Sequence, residues 1–157
     1  IEIQDQAIVS TGGQDIVMLG LDPASGSLER TLLFGGTGNI SSHDAVPTAD
    51  GNFVVAIGFT GEFAYDTIHL EEDGEALYWE HRVDSVVFKL SAEGEVLWSH
   101  HFSGEGAQRA WDLAAMPDGG VAVGVAYSNE LYLDGQLVVE FDTDSFVREM
   151  VLMRLGD

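Results

Sequence analysis

The chain lacks cysteine and contains only three prolines and six basic residues in its 157 positions. Without cysteine, disulfide bonds and thiolate metal sites are excluded, while the redox compartment stays open. No apolar run approaches the roughly 18 residues that a membrane-spanning helix needs. We therefore predict no membrane span and no disulfide framework.

Positive charge is scarce, because six lysines and arginines face 27 aspartates and glutamates, which gives a formal net charge of -21 at pH 7. Such a surface repels nucleic acid phosphates and anionic lipid head groups. Nucleic acid is therefore excluded as a main partner. Acidic surfaces of this kind stay soluble at high ionic strength, which favours a secreted or cell-surface location.

Glycine is plentiful, and many of the 19 glycines recur in one register. When the sequence is shifted against itself by about 68 positions, glycines, turn aspartates and apolar residues coincide without a gap. The matched pairs are Gly26 and Gly94, Phe34 and Phe102, Gly36 and Gly104, Asp44 and Asp112, and Asp50 and Asp118. Two further segments occur three times each: 15–21 with 84–90 and 149–155, and 1–3 with 68–70 and 131–133. The sequence thus contains two and a half copies of one repeat.

Short segments rich in β-branched and aromatic residues predict strands throughout the chain. They span 16–21, 28–34, 52–59, 85–90, 96–102, 121–127 and 150–155. Turn signals separate them, namely Ser25-Gly26, Asp50-Gly51, Asp73-Gly74, Glu93-Gly94, Asp118-Gly119 and Asp134-Gly135. Glycine supplies the positive φ that hairpin turns need, so consecutive strands are predicted to pair antiparallel in an all-β fold.

Three motifs carry a family resemblance: Asp-Ser-Val-Val-Phe-Lys-Leu at 84–90, Phe-Gly-Gly-Thr-Gly at 34–38 and Asp-Gly-Asn at 50–52. Together with Gly-Glu-Val-Leu-Trp at 94–98, they resemble the bacterial SBBP-type β-propeller repeat over almost the whole chain. The resemblance implies antiparallel β-propeller-type blades in part of a larger propeller. It also places long hairpin insertions between strands, expected at 68–79 and 131–141.

The same resemblance implies how the single repeat domain, residues 1–157, is divided. A hairpin and the outer strands of a preceding blade take 1–42, a complete blade takes 43–110, and an incomplete blade takes 111–157. Within the complete blade, the strands are expected side by side in the order 43–48, 53–59, 85–91 and 96–102.

Two and a half repeats do not close a ring, since a propeller needs about four or more blades to cover its faces. We expect the chain to be a piece of a longer repeat polypeptide. In the alternative, a protein partner or neighbouring copies pair with unpaired edge strands. This gives an assembly or filament joined by β-strand addition.

Residues that could support catalysis or bind metal are scattered. His100 and His101 are adjacent on a predicted strand, so their side chains point to opposite faces and cannot hold one metal ion together. No Gly-x-Ser-x-Gly motif lies near a histidine, and a chain this acidic brings carboxylates together by accident. We predict no enzymatic activity and no cofactor.

Clustered carboxylates leave calcium binding open, because Ca²⁺ takes six to eight oxygen ligands. The candidate ligands are Glu71, Glu72, Asp73, Asp142 and Asp144. Neither cluster has the Asp-x-Asp-x-Asp-Gly spacing of a calcium loop. We interpret these residues as solvated turn charges.

Aromatic residues in the two predicted hairpins, Tyr78, Trp79 and Tyr132, are the candidate binding residues, because loops vary freely while blades must pack. Trp98 is expected in packing between blades, since the other copy has Arg30 at its position. The sequence therefore predicts a non-enzymatic extracellular scaffold or protein-interaction module. The alternative is a carbohydrate-binding propeller or an accessory domain of a secreted enzyme.

Overall fold

The structure is a computed structural model that describes residues 2–3, 6–10, 12–72, 82–140 and 149–156. Those residues form antiparallel β-sheets and contain no helix, which confirms the predicted all-β class. The strands are β1 (Glu2–Ile3), β2 (Gln6–Ala7), β3 (Ile16–Leu21), β4 (Leu28–Phe34), β5 (Ile40–Pro47), β6 (Phe53–Phe59), β7 (Glu62–Tyr65), β8 (Ile68–Glu71), β9 (Asp84–Leu90), β10 (Val96–Ser103), β11 (Gln108–Ala115), β12 (Val121–Tyr127), β13 (Glu130–Leu133), β14 (Gln136–Glu140) and β15 (Glu149–Leu155). No helix of the described segments is long and apolar enough to cross a bilayer.

The central sheet is built on an antiparallel meander of β5, β6, β9 and β10. This is the strand order that the resemblance to propeller repeats implies. Two more strands, β13 and β14, extend the sheet at the β10 edge, where Phe102 lies opposite Leu133 and Ser103 opposite Tyr132. The pairing satisfies backbone groups of β10 that an edge strand leaves open.

Smaller sheets flank the central one. On one side lie β3 and β4, and on the other side lie β11, β12 and β15 in that order. The β7–β8 hairpin meets β4 through a bridge between Gly35 and Ala64. Thus β3, β4, β7 and β8 repeat as β9, β10, β13 and β14. Bulges recur at equivalent places, Glu29 with Leu97 and His43 with Trp111.

The first hairpin lies earlier than the sequence motifs predict. It is the β7–β8 pair at 62–71 and not 68–79, of which 73–79 fall outside the described residues. Asp66 adopts a φ of 49° in its turn, as Asp134 does with 52° in the second hairpin. Aspartate tolerates this conformation, so the turn needs no glycine and gives no glycine signal. Phe63–Tyr65 is therefore the segment equivalent to Leu131–Leu133. The predicted match of 131–133 with 68–70 was wrong.

The sheets stack face to face in the order β3–β4, central sheet, β11–β12–β15. We call the face of a sheet toward the next sheet in this order its forward face, and the opposite face its rear face. The forward face of the central sheet and the rear face of β11–β12–β15 share one core, which includes Val54, Ala56, Val87, Phe102, Val121, Val123 and Val125. A second core joins the rear face of the central sheet to β3–β4 and includes Phe34, Val55, Ile57, Val86 and Phe88, with Ile16 and Met18 packed against it. Because side chains alternate along a strand, β6 and β9 are apolar on both faces.

The glycine motif joins each sheet to its hairpin at close range. A Cβ on Gly36 would lie 1.7 Å from the carbonyl oxygen of Glu62, and a Cβ on Gly104 would lie 2.6 Å from that of Glu130. Gly104 also has a φ of 152°. Backbone this close to a hairpin tolerates only glycine, which explains why these two positions recur.

Candidate interaction surface

Polar contacts from the β5 bulge join the central sheet to the sheet that follows it. The Nδ1 atom of His43 lies 2.9 Å from the carbonyl oxygen of Ala110, and the amide of Leu113 donates to Oδ2 of Asp44 over 2.8 Å. The ring of His43 also packs against Trp111, with 4.6 Å between ring centres. Burial lowers the pKa of His43, and nearby Arg109 lowers it further. The neutral imidazole therefore serves the contact between sheets.

The equivalent bulge of β11 has Trp111 in place of His43, and it lies at the surface. Trp111 is 41% exposed, and the guanidinium carbon of Arg109 lies 5.6 Å from its ring centre. Asp112 is exposed, and its carboxylate makes no hydrogen bond within the described part of the chain. Its counterpart Asp44 accepts a hydrogen bond from an amide of the next sheet. Asp112 therefore places an equivalent acceptor at the surface, where no described donor binds it.

An ion pair is repeated in the two sheets, with very different burial. Lys89 lies 3.0 Å from Asp50, and Arg154 lies 3.0 Å from Asp118. The Lys89 side chain is only 4% exposed, whereas that of Arg154 is 54% exposed. Hydrogen bonds from Thr48 and Lys89 lower the pKa of Asp50, and the Gly120 amide chiefly lowers that of Asp118. The later sheet thus repeats the ion pair with an exposed cation in place of a buried one.

Among the described residues, two sheet faces at opposite ends of the stack expose apolar side chains. The forward face of β15 carries Met150 and Leu152, which are 69% and 77% exposed. The rear face of β3 carries Leu19 and Leu21, which are also exposed. The four equivalent positions of β9 are all fully buried, namely Ser85, Val87, Phe88 and Leu90. We name these surfaces the forward end face and the rear end face.

The adjacent histidines His100 and His101 lie on opposite faces of the central sheet, as their adjacency on one strand predicts. Nδ1 of His100 is 2.7 Å from Asp134, and Nε2 of His101 is 2.9 Å from buried Asp84. His101 stacks on Phe59 in the rear core. No group of three or more histidine, aspartate or glutamate residues is placed to hold a metal ion within the described segments.

Of the candidate binding residues, Tyr132 lies on β13 and is half-buried. Its hydroxyl donates to Oε2 of Glu130 over 3.3 Å, and the charge of Glu130 raises its pKa. The other two candidates, Tyr78 and Trp79, lie outside the described residues. The second hairpin is paired with β10, so it does not project freely from the sheet.

Of the candidate calcium ligands, Glu72 is engaged with the hairpin backbone. Its Oε2 atom accepts the amide of Gly61 over 3.0 Å, and burial raises the pKa of its carboxyl group. Glu71 is exposed on β8, opposite Glu62. Asp73, Asp142 and Asp144 lie outside the described residues.

The end faces were missed by sequence reasoning, although a signal for one of them was present. Residues 150–153 read Met-Val-Leu-Met, which is apolar at every position. A strand of that kind is typical of a sheet that is buried on both faces. Among the described residues, the central sheet covers the rear face of this strand, while Met150 and Leu152 on the forward face are exposed.

Comparison of the chain with models of known families, with curated proteins and with solved structures finds no match.

Proposed function

We propose that the chain is a non-enzymatic scaffold or protein-interaction module, built of β-propeller-type repeats that resemble the bacterial SBBP kind. The observation that carries this proposal is the recurrence of the stacking. Four-stranded antiparallel meanders that pack face to face are the arrangement of propeller blades. Here the first three strands of the meander β5–β6–β9–β10 recur as β11–β12–β15, together with the bulge of the first strand and the ion pair.

A non-enzymatic role is supported by the positions of the histidines and aspartates, the residue types that could act in catalysis. His43 and Asp44 connect neighbouring sheets, and His101 pairs with buried Asp84 inside one sheet. Each of these side chains is engaged by the scaffold. We expect no turnover on a panel of chromogenic glycoside, ester and phosphate substrates. Turnover that is lost on His101→Gln, while the variant stays folded, would show that the chain is an enzyme.

An extracellular location is supported by the net charge of -21, which keeps a protein soluble in salt. The test is limited proteolysis of intact cells of the source organism, followed by detection with antibodies against this chain. We expect the protein to be digested while a cytosolic marker stays intact. Survival of the protein until the cells are lysed would rule out the surface location.

Carbohydrate binding is the second candidate, and exposed Trp111 beside Arg109 is the feature that favours it. Aromatic faces pack against sugar rings. A glycan array with the native chain, Trp111→Ala and the control Leu97→Ala separates the two functions. The scaffold proposal predicts no reproducible sugar signal. A signal that Trp111→Ala abolishes and Leu97→Ala retains would establish a lectin instead.

A further inference from the structure

We propose that the forward end face of one copy of this chain binds the rear end face of a second copy, in a head-to-tail stack of sheets. The inference rests on the proposed repeat architecture and adds the partner and the surface. It differs from β-strand addition, because the two copies meet through sheet faces and not through hydrogen-bonding edges.

The first argument is the equivalence of buried and exposed positions. Within the chain, forward-facing Val87 and rear-facing Phe88 and Leu90 are all inaccessible to solvent. Leu152 holds the position of Val87 in the last sheet, and it is 77% exposed. Leu21 holds the position of Leu90 in the first sheet and is 50% exposed. Each end thus presents one half of a contact that the chain already forms twice internally.

The second argument is direction. Each internal contact joins a forward face to a rear face, and the two uncovered faces are one of each kind. A second copy can therefore continue the same contact, which is a heterologous interface. A forward face against a forward face would have no precedent within the chain.

The third argument comes from the polar groups around the forward end face. Asp112 occupies the place of Asp44, which accepts an amide from the following sheet. The pair of Arg154 and Asp118 occupies the place of Lys89 and Asp50, where the Lys89 side chain is 4% exposed and that of Asp50 is 49% exposed. The polar groups that border the internal contact are therefore also present at the open end.

Charge opposes the association, since each copy carries a net charge of -21. Salt screens this repulsion, with a Debye length of about 10 Å at 0.1 M ionic strength and about 3 Å at 1 M. The association is therefore expected to strengthen as salt concentration rises, as apolar contacts between like-charged molecules do.

Sedimentation velocity of the 157-residue chain tests the proposal at about 1 μM to 1 mM, a range that covers weak and moderate association. We expect concentration-dependent oligomers in high salt. Leu152→Glu on the forward end face and Leu21→Glu on the rear end face should each weaken self-association at least about tenfold. Leu97→Glu adds the same charge at an exposed leucine of β10, away from both end faces, and should self-associate as the native chain does.

Mixing the two variants distinguishes this arrangement from a symmetric one. Each variant retains one intact end face, so the mixture should form a one-to-one dimer that grows no further. A native chain that stays monomeric, a Leu21→Glu variant that still associates alone, or a mixture that stays monomeric would each overturn head-to-tail stacking. Those results leave the scaffold proposal standing, because that proposal is tested by turnover, location and glycan binding.

Discussion

The central sheet and the β11–β12–β15 sheet carry the same repeat in different surroundings. Among the described residues, the central sheet is packed on both faces, whereas β11–β12–β15 is packed on its rear face and exposes Met150 and Leu152 on its forward face. Lys89, Asp44 and Val87 are parts of an internal contact, whereas Arg154, Asp112 and Leu152 hold the same positions at a surface. Equivalent residues of the repeat therefore occupy the same place within their own sheets. Their contribution to stability depends on whether a neighbouring sheet packs against them.

The largest difference is expected between Phe88→Ala and Leu19→Ala, which alter equivalent rear-facing positions of β9 and β3. Phe88 is fully buried, and its truncation should cost about 3–5 kcal/mol. Leu19 is 37% exposed, so its truncation should cost less than about 1 kcal/mol. Urea unfolding followed by tryptophan fluorescence measures both. Similar losses would mean that the rear end face is covered in solution.

The repeated ion pair gives the next comparison. Asp50→Asn removes the carboxylate that lies 3.0 Å from the buried ammonium group of Lys89, and loss of an ion-pair acceptor is costly for a buried charge. Asp118→Asn leaves Arg154 in contact with water, where an ion pair contributes little. The thermal midpoint should fall clearly for the first variant and hardly at all for the second. Equal midpoints would contradict the assigned burial of Lys89.

The two bulge aspartates provide a smaller contrast. Asp44→Ala removes the acceptor of the Leu113 amide, which should cost about 1–2 kcal/mol. Asp112→Ala removes a carboxylate without a hydrogen bond in the described residues and should be close to neutral. Hydrogen exchange adds a local measurement, because the amide of Leu113 should lose protection in Asp44→Ala only.

The two bulges also differ in titratable groups, because His43 can bind a proton and Trp111 cannot. The pH dependence of stability tests this difference. The pKa of His43 is lowered by burial, so the unfolded chain binds the proton more readily than the folded chain. The contribution of neutral His43 to the free energy of unfolding is complete above about pH 6.5, the pKa of a histidine in the unfolded chain. It is lost as the pH falls from there through the lower pKa of His43 in the folded chain. His43→Gln should flatten this part of the stability curve, measured by urea unfolding between about pH 5 and 7. A stability curve that is unchanged by His43→Gln would contradict this role.

Much of the fold could be predicted because the strands alternate and the turns contain glycine. The hairpins β5–β6 and β9–β10 follow from the turns Asp50-Gly51 and Glu93-Gly94, and both glycines have a positive φ as expected. The pairing of β6 with β9 was implied by the resemblance to propeller repeats. The β7–β8 hairpin was placed too late, because Asp66 and not glycine forms its turn. The pairing of β13 with β10 is a contact between distant residues, and no local pattern predicts it.

The candidate surface was harder to predict than the fold. Aromatic residues in loops suggested Tyr78, Trp79 and Tyr132, since loops commonly carry function. Exposure of Leu152, in contrast, depends on whether another sheet follows it in space. The sequence gives Leu152 and Val87 the same local pattern, so only the stacking order separates a core position from a surface position.

The attachment of β13 to β10 also bears on how the protein is made. A ribosome delivers the N-terminal part first, at about 5–20 residues per second, so the edge of β10 waits roughly 2–6 seconds for its partner strand. During that interval the nascent chain exposes a row of open backbone groups, which is a template for pairing with other nascent chains. The excess of negative charge keeps neighbouring nascent chains apart, and it therefore protects the protein during synthesis as well as after folding.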